Sequence, residues 1–170
     1  MATYYYNDLQ DKTKIPDDCT KFYCDEYELE KLPELPDSLL ELDCARNKLI
    51  LLPELPKSLT QLQCEYNKLS GLPILPNSLD SLNCSDNNLT ELPELPNLLT
   101  ILWCENNNLT ELPVLPNSLK YLFCNNNNIK YLSPNNCQVM KNVCELSVLN
   151  NPFSAKFTSE NDFKQYLMNL

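Results

Sequence analysis

A 20-residue unit, L-P-x-L-P-x-S-L-x-x-L-x-C-x-x-N-x-L-x-x, runs in strict phase from Leu32, Leu52, Leu72, Leu92 and Leu112. A unit this short cannot bury its own apolar face, so successive copies must stack and share one continuous core. The stretch Glu41-Leu42-Asp43-Cys44 shows how. Side chains alternate across a strand, so Leu42 and Cys44 point inward while Glu41 and Asp43 point out. Stacked copies of it make a parallel sheet.

The other offsets complete one coil. Leu39, Leu42, Cys44, Leu49, Leu52 and Leu55, with their equivalents, form the expected core. Asn47, Asn67, Asn87, Asn107 and Asn127 share the offset after the strand, where a buried amide must find backbone partners. The return path carries Leu-Pro-x-Leu-Pro, and proline excludes a helix interior and holds the residue before it extended. Gly71 is the single glycine, so asparagine, which tolerates left-handed geometry, is expected in the turns. These features predict a leucine-rich-repeat solenoid, with a parallel β-sheet on the concave face, an extended, polyproline-like convex side and a short C-terminal capping helix.

One domain is expected over residues 1–170. Residues 1–11 form an N-terminal cap, and 12–31 a degenerate repeat with Tyr27 in the asparagine slot. Residues 32–131 hold five regular repeats, 132–153 a longer terminal repeat, and 154–170 a cap helix. In the terminal repeat the motif returns at Glu145-Leu146-Ser147, 24 residues after Tyr121-Leu122-Phe123, which places an insertion around residues 133–140. A strict 20-residue step would instead stack Cys144 on Cys124 but put Asn142 in a leucine slot. The cap helix follows Ser159, with Phe163, Tyr166, Leu167 and Leu170 as its apolar stripe.

The net charge is −10, from 23 acidic and 13 basic residues. Phosphate backbones and anionic membranes call for the opposite sign, so neither nucleic acid nor a membrane surface is an expected partner. A basic protein partner is allowed, although the charge can equally serve solubility alone. No apolar run approaches the ~18 residues of a membrane span, and the N-terminus has no apolar signal segment.

Of nine cysteines, Cys24, Cys44, Cys64, Cys84, Cys104 and Cys124 hold one inward offset, where free cysteine behaves as a small hydrophobe. Parallel neighbours in register fit a disulfide poorly, so a reducing, intracellular location follows. One cysteine per rung and no histidine in the chain make no zinc cage. Neither metal nor cofactor is expected.

The repeat resembles the 20-residue repeats of bacterial effector proteins delivered into host cells, some of which carry a separate ubiquitin-ligase domain. Its cysteine- and asparagine-rich form is also similar to repeat proteins encoded by giant DNA viruses of amoebae. The resemblance spans about residues 12–153 and implies a binding scaffold, either a host-directed effector or a viral factor. The sequence stops soon after the repeats and shows no charged helical hairpin ahead of them, so no ligase residues carry over.

Outward positions of the sheet are free of folding constraint, and there function can be sought. Most are polar. Ile101, Trp103, Tyr121 and Phe123 form the exception, four large side chains on two adjacent strands, placed outward by the alternation that buries Leu102 and Leu122. Trp and Tyr are enriched at binding hot spots, which makes this square the candidate partner-binding patch, with Tyr23 and Tyr66 as secondary positions. A covering by the chain itself, a homodimer through the same patch, or a cluster that merely stabilises the sheet are the alternatives. Glu34, Glu54 and Glu94 share a convex offset, and Glu91 and Glu111 another, as a solvated acidic face or, alternatively, a docking strip for a basic protein.

The expected function is a non-enzymatic protein–protein interaction module that binds through the concave sheet. A self-associating structural protein is the alternative. A cysteine-dependent enzyme ranks third, since no histidine can activate a thiol; Cys19, Cys137 and Cys144, off the main ladder, are its candidates.

Overall fold

The computed structural model describes residues 2–9 and 11–170. Met1 and Gln10, part of the expected N-terminal cap, lie outside the described residues. Eight parallel strands follow one another in chain order: β1 (Ala2–Tyr5), β2 (Cys19–Tyr23), β3 (Glu41–Asp43), β4 (Gln61–Gln63), β5 (Ser81–Asn83), β6 (Ile101–Trp103), β7 (Tyr121–Phe123) and β8 (Glu145–Ser147). Two α-helices, α1 (Pro134–Met140) and α2 (Glu160–Met168), and short 3-10 turns at Tyr6–Asp8 and Pro152–Ser154 complete the elements of the described residues. The proline-rich return segments between β2 and β7 contain no helix. The molecule is the leucine-rich-repeat solenoid that its period dictates.

The register is set by the buried leucines. Leu42, Leu62, Leu82, Leu102, Leu122 and Leu146 pair in sequence down the sheet. Behind them the cysteines from Cys24 to Cys124 are fully buried, and all nine cysteines are free. Two polar ladders tie the coils. Asn67 Nδ2 donates to the carbonyls of Cys44 and Cys64 at 3.0 and 3.1 Å, while its Oδ1 accepts from the Leu49 amide at 3.0 Å. Thus one amide satisfies backbone groups of two coils. Ser58 Oγ donates to the carbonyls of Asp37 and Leu39 at 2.6 and 2.7 Å, and Ser38, Ser78 and Ser118 act alike. Leu98 stands in that serine slot and is 60% exposed.

The turn residues correct one expectation. Glu28 is left-handed at 57°, but the repeating left-handed position is the residue just before the ladder slot, which holds asparagine or Tyr27, with φ between 52° and 63° at Glu26, Arg46, Tyr66, Asp86, Asn106, Asn126 and Asn150. Asparagine fills it only in the last three. The others hold a conformation that costs ordinary residues roughly 1–2 kcal/mol, kept because the carbonyls of the next coil hold the amides of Arg46, Tyr66 and Asp86. Gly71 has ordinary φ and open space around it.

The terminal coil takes the 24-residue step: Tyr121 pairs with Glu145 and Phe123 with Ser147. Helix α1 absorbs the extra residues. Ser133 caps it by accepting from the Asn136 amide, and Pro134 starts it without losing a bond. Asn136, 2% exposed, donates to the Pro113 carbonyl and accepts from the Leu115 amide, pinning α1 to the preceding coil.

The ends differ from the repeats. β1 is an unexpected strand: Tyr4 packs on the core while Tyr5 stacks on Tyr23 at 5.4 Å. At the other end, Ser159 caps α2 and Phe163 and Leu167 seal the last coil. The expected stripe is shorter than four residues, because α2 stops at Met168 and leaves Leu170 63% exposed.

Candidate interaction surface on the concave sheet

β6 and β7 place the four candidate residues side by side. Ile101 pairs with Tyr121 and Trp103 with Phe123, while Leu102 and Leu122 between them are fully buried. The Trp103 and Phe123 rings stack with centroids 6.2 Å apart and an interplanar angle of 24°. All four side chains are half-buried. Together they form one largely apolar platform on two adjacent strands. Its flanks are polar: Ser81 and Asn83 on β5, Glu145 and Ser147 on β8.

The secondary positions lie elsewhere. Tyr23, on β2, stacks on Tyr5 and donates to Glu41 Oε2 at 3.3 Å. Four strand steps at ~4.8 Å separate it from Trp103. Tyr66 sits in the turn row beyond the strand, 53% exposed, with the Arg46 guanidinium 5.6 Å from its ring. Neither joins the platform.

The face is acidic. Lys21 is the single cation among its outward positions, and its ammonium lies 2.7 Å from Glu41. Against it stand Asp25, Glu41, Asp43, Glu65, Glu105 and Glu145. Burial holds the Asp43 carboxyl above its usual range, with the nearby Asp25 adding to the effect, although the Ala45 amide donates to it. Burial raises Glu65 as well, and Asp43 pushes the same way. Glu65 Oε2 and Glu105 Oε2 are buried with no hydrogen-bond partner among the described residues.

Three features escaped the sequence reading. Tyr5 extends the aromatic stack of Tyr23; the pattern Ala2-Thr3-Tyr4-Tyr5, β-prone and alternating, was the available signal. The unpartnered carboxylates of Glu65 and Glu105 depend on side-chain placement and have no signature in the sequence. On the convex side Ile74 and Val114, 89% and 72% exposed, replace glutamates of the row containing Glu34, Glu54 and Glu94 and flank a shallow groove. The break in that row is visible in the sequence.

The thiols offer little chemistry. Burial pushes Cys44, Cys64 and Cys104 far up. Cys19, expected off the ladder and available, is instead fully buried in β2, its thiol raised to about 11 by that burial. A thiol held protonated is a poor nucleophile. Cys137 is raised by burial too, and Cys144 is exposed.

No protein-family model matches the chain, and no curated protein does. Solved structures match it well. A Shigella effector LRR domain shares 36% identity at a TM-score of 0.74, over 85% of this chain and 65% of that one. YopM from Yersinia enterocolitica WA-314 shares 32% identity at a TM-score of 0.74, over 81% of this chain and 34% of that one. The functional domain of InlJ from Listeria monocytogenes, which includes a cysteine ladder, shares 25% identity at a TM-score of 0.57, over 80% of this chain and 36% of that one. This chain therefore spans about two thirds of the Shigella domain and about a third of the other two. It is a leucine-rich-repeat protein with 20-residue repeats, similar to bacterial effector-type proteins of that class.

Proposed function

We propose that this leucine-rich-repeat protein is a non-enzymatic interaction module that docks a protein partner on the C-terminal half of its concave sheet. One observation carries the reading: the strand register sets Ile101, Trp103, Tyr121 and Phe123 side by side as a single platform, with polar residues at the flanking strand positions. Aromatic clusters of this size on an open face are characteristic of docking sites. The similarity to the Shigella effector LRR domain and to YopM supports a scaffold that works by binding. A host-directed effector accords with the effector description of that Shigella domain, and the viral alternative rests on the cysteine- and asparagine-rich form of the repeat alone. The raised thiols and the absence of histidine support a non-enzymatic role.

No described helix is long and apolar enough to cross a membrane. Free cysteines suit a reducing compartment, and the acidic charge disfavours nucleic acid. Tyr66, on the rim, is available as a secondary contact for a partner that extends past the platform.

The test compares the wild type with the double variant Trp103→Ser/Phe123→Ser as baits in host-cell extract. A partner retained by the first and lost by the folded second supports docking on the platform. Equal retention places the binding surface elsewhere.

A further inference from the structure

We infer that the anchor a partner sets on this platform is an arginine side chain, its guanidinium lying against the Trp103 and Phe123 rings and bonded to Glu105. The inference rests on the docking role proposed above and names the chemistry of that dock.

Glu105 follows Trp103 by two residues, on the side of the chain that strand alternation gives to Trp103, and is itself half-buried. Among the described residues, Glu105 Oε2 is buried without a hydrogen-bond partner and no ion pair includes Glu105. A buried carboxylate oxygen left without a donor is an unmet demand, and a change of rotamer in the half-buried side chain presents it to an arriving donor. Lys21, the one cation among the outward strand positions, is four strands away and paired with Glu41 at 2.7 Å, and Arg46, three coils away in the turn row, is paired with Glu26 at 3.1 Å. Among the described residues no cation pairs with Glu105.

The rings favour the same occupant. Trp103 and Phe123 lie near-parallel, and the residues paired with them on the outer sides, Asn83 and Ser147, are short and polar. A planar cation can lie on the indole face above such neighbours, and tryptophan is the strongest aromatic partner for it. Arginine combines that stacking with a two-pronged bond to a carboxylate, whereas lysine offers only a point charge. The rest of the face, with six carboxylates to one cation, favours basic residues around the anchor. A neutral aromatic anchor would leave Glu105 unmet and gain nothing from those charges.

Acetylated, amidated tetra-arginine, tetra-lysine and tetra-citrulline peptides are titrated into the full chain, with fluorescence of Trp103, the single tryptophan, as the readout. Working near 0.15 M salt screens diffuse attraction to the acidic protein. The arginine peptide is expected to give a saturable change, with citrulline at least about 10-fold weaker and lysine in between. Glu105→Gln should weaken the arginine peptide by about 10-fold. Glu111→Gln, which removes the same charge from an exposed position outside the concave sheet, should change it less than about twofold. Melting curves of both variants establish that they are folded.

Citrulline binding as well as arginine overturns the inference, as does an equal effect of Glu105→Gln and Glu111→Gln, or no saturable change at all. If the arginine peptide fails while the double serine variant still loses a captured partner, the platform docks by apolar contact and only this inference falls. If the double variant loses nothing, the docking role falls with it. Self-association of the wild type by sedimentation, abolished in the double variant, identifies a second copy as the occupant and also overturns the arginine anchor.

Discussion

Glu160 Oε1 accepts a hydrogen bond from the Val148 amide at 2.9 Å, in the place that the Ser147 carbonyl takes for the Cys124 amide one coil earlier. The same oxygen accepts from Ser147 Oγ and from the Leu149 amide. A side chain at the first turn of α2 thus stands in for the coil that does not follow. At the other end Asp8 Oδ2 accepts from the Tyr5 amide at 3.1 Å. Unpaired strand edges invite pairing with other chains, and charge placed on the edge prevents it. The solenoid is closed at both ends by carboxylates.

Glu160→Ala should therefore destabilise the protein by about 1–3 kcal/mol, since the Val148 and Leu149 amides lose their acceptor. Glu160→Gln keeps an acceptor oxygen and should cost less. Hydrogen exchange at Val148 and Leu149 localises the effect. Equal melting temperatures for alanine variant and wild type would show that the edge is held by other contacts.

The asparagine ladder predicts a larger contrast between neighbours. Asn87 Nδ2 donates to the Cys64 and Ser85 carbonyls at 3.0 Å each, and its Oδ1 accepts from the Leu69 amide at 2.9 Å. Asn87→Ala strands buried backbone groups in two coils, so a loss of about 3 kcal/mol is expected. The exposed Asn88 has no such duty, and Asn88→Ala should stay within about 0.5 kcal/mol. Urea midpoints of the two variants provide the comparison.

These ladders were legible because they repeat. One offset repeated through the chain fixes inward and outward residues in each coil, and keeping Leu146 inward selected the 24-residue step over the 20-residue one. Asn142, which the rival register would have buried, is exposed in the turn after α1. Where the period lapses, legibility lapses too. β1 has no counterpart in the repeat, so residues 1–11 could be placed over the open end but not as a strand. The turn row was misread because tertiary bonds to the next coil override the left-handed preference at Arg46 and Tyr66. For the platform, the sequence placed four side chains on one face. Their partial burial and the unmet Glu105 oxygen depend on side-chain conformations that no offset encodes.

The broken serine row offers a stabilising substitution. At Leu98 the exposed leucine gains little from burial, and a hydroxyl there would face the Leu79 carbonyl, as Ser118 Oγ faces that of Leu99 at 2.6 Å. Leu98→Ser should raise stability by about 0.5–1.5 kcal/mol, the usual net worth of a hydrogen bond. A lower melting temperature would mean that Leu98 packs usefully on its neighbours despite its exposure.

The acidic end of the sheet should respond to pH in an unusual sense. Asp43 and Glu65 have folded-state values above their unfolded ones, mainly through burial. The folded state then holds more protons than the unfolded state between those values, so these two groups contribute less stability as pH rises through the folded values. Asp43→Asn keeps an oxygen for the Ala45 amide and removes the charge. It should raise the melting temperature at pH 7, with the gain disappearing near pH 3, below the ordinary carboxylate range. A gain that persists at pH 3 would trace to something other than ionisation.

Trp103 reports on the platform directly. The double variant Trp103→Ser/Phe123→Ser loses a stacked pair from the outward face while Leu102, Cys104, Leu122 and Cys124 remain fully buried. A cross-strand aromatic pair contributes about 0.5–1.5 kcal/mol beyond its buried area, so the variant should melt earlier yet cooperatively. Partner binding should fall by about 2 kcal/mol or more, the scale of a hot spot. In the wild type, half-buried Trp103 should emit between the fully exposed and fully buried limits, remain open to a small quencher, and shift to the blue when partner binds. An emission already blue and protected from quencher in the dilute protein would show the platform covered without any partner. The same shift appearing only as concentration rises would identify a homodimer built on these four residues.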